Sequence, residues 1–234
     1  MEKKFEMNTY LQFTGLKILK NTIFILIIIV SVFALFFNAK CLTIAAACLA
    51  GISIVLESFL AKKVKKDFRR LYHTAYFDGL TGIPSRTSAD VYIAGCTEPQ
   101  LVSVAVADLD GLKVVNDAYG HQAGDILIQD FAASFSEAAS SLGFAARNGG
   151  DEFLAIFRGE DSEEQAIAFC RKLRRIVDQK NNTAQYPVYY SIGYASGKEL
   201  QCASISEIIS HADARMYQQK QEKKSARKMS DGRN

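Results

Sequence analysis

Two acidic segments of the 234-residue chain have the composition of a site for a divalent cation. In the first, an apolar run that ends near Val106 leads into Asp108-Leu109-Asp110. A carboxylate at the end of a buried strand lies at the rim of a sheet, where α/β folds bind ligands. Its oxygens are hard donors of the kind that Mg²⁺ prefers. Asp108 is therefore a candidate metal ligand, whereas Asp110 precedes a predicted helix and is interpreted as its N-cap.

The second segment, residues 147–153, has the sequence RNGGDEF. Its paired glycines allow positive φ angles and carry no Cβ, so the backbone can approach a phosphate closely. If this turn lies beside the strand before Asp108, then Asp151 and Asp108 converge on one face. Such a cluster is electrostatically costly unless a cation shares it. A Gly-Gly-Asp sequence alone is usually only a turn, and its significance here comes from its combination with residues 108–125.

Helices and strands alternate from Phe77 onward and would position these acids. Apolar runs predict strands, and apolar residues at intervals of three or four predict helices. The predicted strands are 101–106, 144–147, 153–157 and 187–194, and the predicted helices are 87–93, 126–142, 163–179 and 205–220. Because a tight turn joins two of the strands as a hairpin, the sheet cannot be wholly parallel. The pattern predicts a sheet packed against helices.

The N-terminal third differs in composition from the rest. Residues 1–76 contain 11 Lys and Arg against 4 Asp and Glu, although the whole chain has a net charge of only +3. Two apolar runs, Ile23–Phe37 and Cys41–Leu56, are separated by a few residues that include Lys40. A bilayer core of about 30 Å needs about 20 helical residues. Two transmembrane helices are therefore predicted, at about 21–39 and 41–61.

The cations on either side of this predicted hairpin give its orientation. Lysines and arginines flank both runs, and only Lys40 lies between them, so the positive-inside rule places both ends in the cytoplasm. A cleaved signal peptide is the main alternative for the first run, but residues 36–39 make a poor cleavage site. A pair of buried core helices is another alternative, but residues 23–37 show no polar face.

A basic amphipathic helix is predicted at 62–76, where Val64, Phe68 and Leu71 recur at helical spacing among cations. Two interpretations remain open for it. It is a linker whose cations rest on anionic headgroups, a coupling helix that pairs with its copy in a dimer, or both. The apolar fraction of 49% makes wholesale disorder unlikely on composition. The five cysteines show no zinc-type spacing and are interpreted as small side chains in a reducing compartment.

Five separated segments resemble motifs of the GGDEF family, the diguanylate cyclases. They are FDGLTGIPSR at 77–86, DLDGLKVVNDAYGHQAGD at 108–125, NGGDEF at 148–153, SIG at 191–193 and HADARMYQQK at 211–220. The resemblance implies an α/β (α+β) domain at 77–220, similar to nucleotidyl cyclases and polymerase palms. Its mixed sheet would have about five strands wrapped by helices, preceded by the two transmembrane helices of residues 1–61. The polar tail, 221–234, is predicted to fray.

The resemblance also implies catalytic roles. Asp108, the carbonyl of Leu109 and Asp151 would bind Mg²⁺, for which Mn²⁺ can substitute. Asp151 would in addition accept the proton of the attacking 3′-hydroxyl, and Glu152 would assist it. Lys113 would stabilise the negative charge that develops on the phosphate.

Further positions of this sequence match substrate-binding residues of the family. Asn116 and Asp125 would read the guanine base. Gly149 and Gly150 would let the backbone approach the phosphates, and Lys220 would contact a phosphate.

Three features of the same segments are less uniform with the family. His121 matches a substrate-side position, with a structural role at its turn as an equal alternative. Lys224 stands where the family usually has arginine, which forms a different contact with phosphate. An inhibitory site found in many relatives would place arginine and aspartate at Ser140 and Gly143. We therefore predict no product inhibition through that site.

The implied reaction is a phosphoryl transfer in which the 3′-hydroxyl of one GTP attacks the α-phosphate of another. It would yield cyclic di-GMP and pyrophosphate. Because each domain holds one GTP, a homodimer is expected. The expected location is the bacterial inner (cytoplasmic) membrane, as a multi-pass protein with its catalytic domain in the cytoplasm. Membrane lipid and downstream cyclic di-GMP receptors are the other expected partners, and nucleic acid is not.

The alternative is a catalytically silent module that binds GTP or a cyclic dinucleotide. The intact acids at 108, 151 and 152 favour the enzyme, since a degenerate module would more often lack one of them. A cyclase for mixed purine dinucleotides is disfavoured by Asp125, whose carboxylate matches the donors of guanine. A membrane scaffold would not explain the acidic cluster.

Overall fold

The computed structural model describes residues 20–33, 40–201 and 204–231. The chain forms two compact units, Met1–Arg70 and Leu71–Asn234. The first unit contains helix α1, Lys20–Phe33, and most of helix α2, Lys40–Tyr76. One helix of the described residues is long and apolar enough to cross a membrane, and its apolar stretch lies within Thr43–Tyr76.

The expected hairpin of two transmembrane helices is therefore not confirmed. The described part of helix α1, Lys20–Phe33, covers only part of the expected span 21–39, because residues 34–39 lie outside the described part of the chain. The second expected span, 41–61, lies inside α2. This helix continues without a break through the predicted basic helix 62–76, so the two predicted segments form one helix.

The second unit contains all the strands that the structure describes. In chain order its elements after α2 are α3 Arg86–Ala94, a 3₁₀ turn Pro99–Leu101, β1 Val102–Leu109, α4 Leu112–Tyr119, α5 His121–Ala139, β2 Phe144–Arg147, β3 Glu152–Arg158, α6 Ser162–Asn181, β4 Tyr190–Ser196, α7 Gly197–Leu200 and α8 Ile205–Asp231. The strands form a sheet in the order β2-β3-β1-β4, in which every pair is antiparallel.

The prediction of a mixed sheet with about five strands was therefore wrong in number and direction. The nearest approach to a fifth, parallel strand is a single bridge between Ser85 and Arg147 at the β2 edge. This bridge does not extend, because Pro84 has no N–H to donate and α3 begins at Arg86. The antiparallel hairpin that the sequence predicted is confirmed.

The sheet separates two hydrophobic cores, as the alternation of side chains along β1 requires. On one face, Ala105, Ala107 and Leu109 pack with α5 and α6. This core includes five buried phenylalanines: Phe131, Phe135, Phe153, Phe157 and Phe169. On the other face, Val104 and Val106 pack with α3 and α8. Asp108 continues this second set, so its side chain lies on the α8 face at the end of the core.

Helix α8 rests directly on β4 at Gly193, the glycine of the SIG motif. A Cβ at this position would lie 2.2 Å from the carbonyl oxygen of Ala212 and 2.3 Å from the nitrogen of Met216. The glycine is therefore needed for close approach of two backbones. Helix α8 extends to Asp231, so the described part of the predicted tail 221–234 is helical, and its fraying remains a prediction.

Candidate functional site

The two acidic segments meet at one end of the sheet. In the antiparallel register, Asp108 of β1 lies opposite Glu152 of β3 and opposite Ser191 of β4. The Leu109 N–H donates to the carbonyl oxygen of Asp151 at 3.1 Å. Strand β1 extends three residues beyond the predicted 101–106, so Asp108 lies inside the strand, where the register fixes its neighbours.

Three carboxylates crowd this end of the sheet. Burial raises the pKa of the Asp108 carboxyl, and the neighbouring charges of Asp151 and Asp110 raise it further. A hydrogen bond and the positive charge of Lys220 act on this pKa in the opposite direction. The net rise means that burial and the like charges of Asp151 and Asp110 together outweigh the effect of Lys220. A bound cation would act on this pKa in the same direction as Lys220, because it favours the charged carboxylate.

Lys220 of α8 forms an ion pair with Asp108, with its Nζ next to Oδ1. Burial acts to lower the pKa of Lys220, but the ion pair and the charges of Asp110 and Asp151 raise it overall. The lysine reaches the site because α8 crosses the sheet with the face that carries Met216 against Gly193. The predicted site residues Asp108 and Lys220, 112 positions apart in sequence, are thus in contact.

Asp110 is not the helix N-cap that the sequence suggested. The N-cap of α4 is Gly111, in a left-handed conformation with φ 79° and without a side-chain capping bond. The Asp110 carboxylate instead accepts a hydrogen bond from the Ser191 hydroxyl, at 2.9 and 3.1 Å from its two oxygens. Lys223 lies 3.5 Å from the same carboxylate and donates to the carbonyl oxygen of Tyr190. Asp110 therefore contacts β4 instead of capping α4, because β4 places the Ser191 hydroxyl within hydrogen-bonding distance.

The turn formed by residues 148–151, here named the GG turn, is held by Arg147. Its Nε and Nη2 donate to the carbonyl oxygens of Gly149 and Gly150, at distances of 2.6 to 3.2 Å. The Asn148 and Gly149 N–H groups both donate to the carbonyl oxygen of Glu152. The guanidinium thus fixes the backbone from which Asp151 and Glu152 project.

The paired glycines do not serve the turn in the expected way. Neither Gly149 nor Gly150 is among the described residues with positive φ. A Cβ on Gly149 would meet the side chain of Glu152 at 3.2 Å, and a Cβ on Gly150 would meet nothing within 4 Å. The fold itself does not require glycine at position 150. The open space over it is available to a ligand.

Arg147 and Asp78 were not predicted as site residues, yet both support the site. Arg147 Nη1 donates to Asp78 Oδ1 at 2.8 Å, and the same oxygen accepts from the N–H and hydroxyl of Thr81 at 2.9 and 2.7 Å. Burial acts to raise the pKa of Asp78, but these bonds lower it overall. Arg147 could have been suspected from its place directly before the GG turn. Asp78 lies within the motif at 77–86, but it is 69 positions away from Arg147, and nothing in the motif connects it with the GG turn.

The predicted guanine-reading residues lie on α4 and α5, which pack together. The Asn116 amide rests against Gly124, where a Cβ would lie 2.0 Å from its Oδ1. This oxygen is buried and has no hydrogen-bond partner among the described residues. Buried polar atoms are rarely left unsatisfied, so it is a candidate ligand contact. Asp125 follows Gly124 directly and is exposed.

The remaining predicted residues are more peripheral in this structure. Lys113 is exposed on α4, His121 is the exposed first residue of α5, and Lys224 is exposed on α8. The lysine of α8 that approaches the site together with Lys220 is Lys223, three residues on, and the sequence analysis missed it. Its spacing from Lys220, close to one helical turn, was the available signal.

The donor set fits a hard divalent cation. No group of three or more His, Cys, Asp and Glu side chains suited to a metal occurs in the described part of the chain. The expected set has only two carboxylates and one carbonyl, of Asp108, Asp151 and Leu109. Mg²⁺ is commonly held by one or two carboxylates, with water and substrate phosphates completing its coordination. The like charges of Asp151 and Asp110 around Asp108 are consistent with such an ion.

Comparison with known proteins identifies the domain. Residues 75–226 match the family described as "Diguanylate cyclase, GGDEF domain". The chain belongs to the GGDEF family. Diguanylate cyclase DgcS of Shewanella oneidensis is 30% identical over 168 residues, which cover 70% of this chain and 55% of DgcS. Diguanylate cyclase A of Treponema denticola is 31% identical over 125 residues, covering 52% of this chain and 33% of that protein.

Solved structures show the same α+β fold. The coiled coil and GGDEF domain of DgcB from Caulobacter crescentus, in complex with c-di-GMP, matches with a TM-score of 0.61 and 24% identity. The match covers 74% of this chain and 94% of that structure. The GGDEF domain of DgcB alone matches at 29% identity with a TM-score of 0.52, over 63% of this chain and 91% of that structure.

These similarities concern the domain more than whole proteins. The first relatives matched are longer, and the chain spans from 21% to 55% of their length. In general, the family is associated with the synthesis of cyclic di-GMP by nucleotidyltransferases that use a divalent metal.

Proposed function

We propose that this protein is a diguanylate cyclase that condenses two GTP molecules into cyclic di-GMP and pyrophosphate. The observation that carries the proposal is the meeting of Asp108 with the GG turn, where Leu109 bonds to the Asp151 backbone and Glu152 lies opposite Asp108. Acids from segments about 40 residues apart are thereby brought together beside a backbone with open space at Gly150. This is an arrangement suited to a nucleotide triphosphate and its cation.

The catalytic roles follow from chemistry at this end of the sheet. Asp108, Asp151 and the Leu109 carbonyl would hold Mg²⁺ or Mn²⁺, which when bound neutralises phosphate charge and polarises the reacting phosphate. Asp151 would take the proton from the attacking 3′-hydroxyl, with Glu152 beside it. The Lys113 ammonium would face the developing charge.

Substrate binding would use both sides of the site. Asn116 and Asp125 would contact guanine, and the unpartnered Oδ1 of Asn116 supports this assignment. A carboxylate at 125 can accept from the N1–H and amino group of guanine, which adenine does not present. Gly149 and Gly150 would admit the phosphates, and Lys220, Lys224 and His121 would lie around them.

A homodimer would bring two half-sites together, since two nucleotides must react and one domain binds one of them. Helix α2 supports this proposal, because Phe68 and Leu71 on its exposed surface are large apolar side chains. The DgcB structure, described as a coiled coil and GGDEF domain, offers a parallel in a relative. The product would act on downstream cyclic di-GMP receptors.

We further propose that the protein is held at the cytoplasmic membrane by residues 1–61, as a multi-pass hairpin, with the domain at 77–220 in the cytoplasm. The apolar stretch of α2 supports a membrane location. Six cations follow it at 62–70, and all are exposed. Cations at this place favour the cytoplasmic side and anionic lipid headgroups.

The second candidate is a silent module that binds GTP or cyclic di-GMP. Some relatives are named phosphodiesterases, such as PdeR of Escherichia coli, which is 32% identical over 156 residues that cover 65% of this chain and 23% of PdeR. A domain of this family can therefore form part of a protein named for another activity. The intact acids favour the cyclase.

The deciding experiment is to incubate the full-length chain in nanodiscs with GTP and Mg²⁺ and to identify products by mass. We expect cyclic di-GMP from the natural chain and a rate at least about 100-fold lower for Asp151→Asn, which removes the proton acceptor. The matched control is Asp178→Asn on α6, where the side chain is 70% exposed and far from the site in sequence. GTP binding without any dinucleotide product would support the silent module.

A further inference from the structure

The ion pair of Lys220 and Asp108 places an ammonium group where the proposed function needs a metal ion. The two side chains are only 21% and 14% exposed. A charge in such surroundings is costly unless it is paired, because it has lost much of its hydration. Lys220 supplies that pairing from within the chain.

The backbone of Lys220 is fixed in place. Helix α8 contacts β4 at Gly193 without room for a Cβ, and the preceding residue, Gln219, accepts a hydrogen bond from the Ile192 N–H at 2.9 Å. The ammonium can therefore leave Asp108 only by rotation about the bonds of its own four-carbon side chain, without movement of the helix.

The two lysines of α8 that contact the acids of the site, Lys220 and Lys223, are held very differently. Lys223 donates to the backbone carbonyl of Tyr190, approaches Asp110 at 3.5 Å and Ser191 Oγ at 3.4 Å, and lies 5.7 Å from the centre of the Tyr190 ring. In the part of the chain that the structure describes, the polar contact of Lys220 is with Asp108 alone. One lysine is tied to several groups of β4, whereas the other depends on a single carboxylate.

We propose that Lys220 is an internal counter-ion of Asp108, which a divalent cation displaces on binding and which then becomes available to a phosphate of the nucleotide. The inference rests on the cation site of the proposed function. Two cations in contact with one carboxylate repel each other at short range, so the ion pair weakens the binding of a metal at Asp108 and a bound metal weakens the ion pair. Lys223 remains on Asp110 in both states, because its backbone and ring contacts do not involve the metal.

The test is Mn²⁺ binding to the full-length chain in nanodiscs without nucleotide, followed by the electron paramagnetic resonance signal of free Mn²⁺. Lys220→Met removes the charge and keeps most of the side-chain length. Lys198→Met makes the same charge change at an exposed position on α7, outside the residues assigned to the site. We expect Lys220→Met to bind Mn²⁺ at least about tenfold more tightly and Lys198→Met to differ from the natural chain by less than about twofold.

Two further variants define the result. Asp108→Asn combined with Lys220→Met should lose the tight Mn²⁺ site, which shows that the gain belongs to Asp108. If Lys220→Met does not fold, as judged by circular dichroism, Lys220→Gln takes its place in the same comparison. Unchanged or weaker Mn²⁺ binding on removal of the Lys220 charge, or an equal gain in Lys198→Met, would overturn the inference. A natural chain that binds GTP but forms no dinucleotide would refute the cyclase proposal and leave the Mn²⁺ comparison unaffected.

Discussion

The GG turn lies between two ion pairs that resemble each other in charge but differ in what they hold. On one side, Arg147 donates to two backbone carbonyls of the turn and to Asp78, which is itself bonded to Thr81. On the other side, Lys220 contacts the carboxylate of Asp108. The first pair, the arginine anchor, joins several segments of backbone. The second, the lysine contact, joins two side chains.

This difference distinguishes a pair that stabilises the backbone of the turn from a pair that takes part in the proposed chemistry. A ligand cannot replace the arginine anchor, because its partners include carbonyl groups that would remain buried and unsatisfied. A metal ion can replace the lysine contact, because any cation satisfies a carboxylate. The multiple hydrogen bonds of Arg147 therefore hold the backbone of the turn. The carboxylate of Asp108, in contrast, has a partner that another cation can replace.

The largest effect is expected from Gly193→Ala, which disturbs the packing of α8 that positions Lys220. The new Cβ would lie 2.2 Å from a backbone oxygen of α8, so the helix must shift. We expect a loss of about 3 kcal/mol in the free energy of unfolding and a loss of cyclase activity. Chemical denaturation followed by circular dichroism measures the first, and product analysis measures the second.

The matched control for this change is Gly150→Ala, the same substitution in open space. We expect its free energy of unfolding to stay within about 0.5 kcal/mol of the natural value, because no atom is displaced. Its activity should still fall if phosphates approach this backbone. Equal destabilisation by the two substitutions would contradict the role assigned to Gly193.

The arginine anchor is broken directly by Arg147→Met. Three carbonyl and carboxylate acceptors would lose their donor, and we expect a cost of about 2–3 kcal/mol in unfolding free energy together with reduced activity. The control is Arg174→Met on α6, which removes a contact whose two side chains are 82% and 70% exposed. Such exposed pairs contribute within about 1 kcal/mol. Similar losses in both variants would count against the anchor.

A smaller and pH-dependent effect is expected from Asp78→Asn. The pKa of Asp78 is lowered from 3.8, so its ionised form is favoured in the folded protein. Its contribution is therefore fully present above the unfolded pKa and is lost as the pH falls through the lower, folded pKa. We expect the variant to be less stable by about 1–2 kcal/mol at pH 7, with the gap closing below about pH 4. Unfolding midpoints at pH 7 and pH 3 measure it, and a gap that widens in acid would exclude this account.

The smallest expected effect concerns the lysine that stays in place. Ser191→Ala removes the hydroxyl that donates to Asp110, while Lys223 remains beside the carboxylate. We expect a loss of about 1 kcal/mol in unfolding free energy. The exposed Ser140→Ala serves as the control, with a change of about 0.5 kcal/mol or less. A larger loss than in Arg147→Met would contradict the expectation that the arginine anchor contributes more to stability than the contacts around Asp110.

The prediction of no product inhibition through Ser140 and Gly143 remains a prediction, and the structure adds a physical reason for it. A Cβ on Gly143 would lie 2.5 Å from the carbonyl oxygen of Ile156. An aspartate therefore does not fit at this position without movement of β3. Packing against Ile156 and Phe157 of β3 therefore accounts for glycine at position 143.

Local patterns were sufficient for most of the secondary structure and for the acidic residues of the site. The hairpin around the GG turn follows from turn chemistry, and the helices follow from apolar spacing, although their ends moved by several residues. The partners of the site were beyond such patterns. Asp78 and Ser191 lie in segments that resemble family motifs, but nothing in those segments or around Lys223 shows which residue each one contacts. Their roles come from contacts over distances of 32 to 113 positions.

By itself, the sequence determined which chemistry is available: carboxylates beside an apolar strand, glycines before an acid, and lysines on an amphipathic helix. Only the tertiary structure decided how these groups are paired. The antiparallel register brings Asp108 beside the GG turn, and the bare Cα of Gly193 lets α8 come close enough for Lys220 to reach Asp108. Electrostatic partners depend on distances of a few ångströms in space, and spacing along the chain does not encode those distances across a sheet.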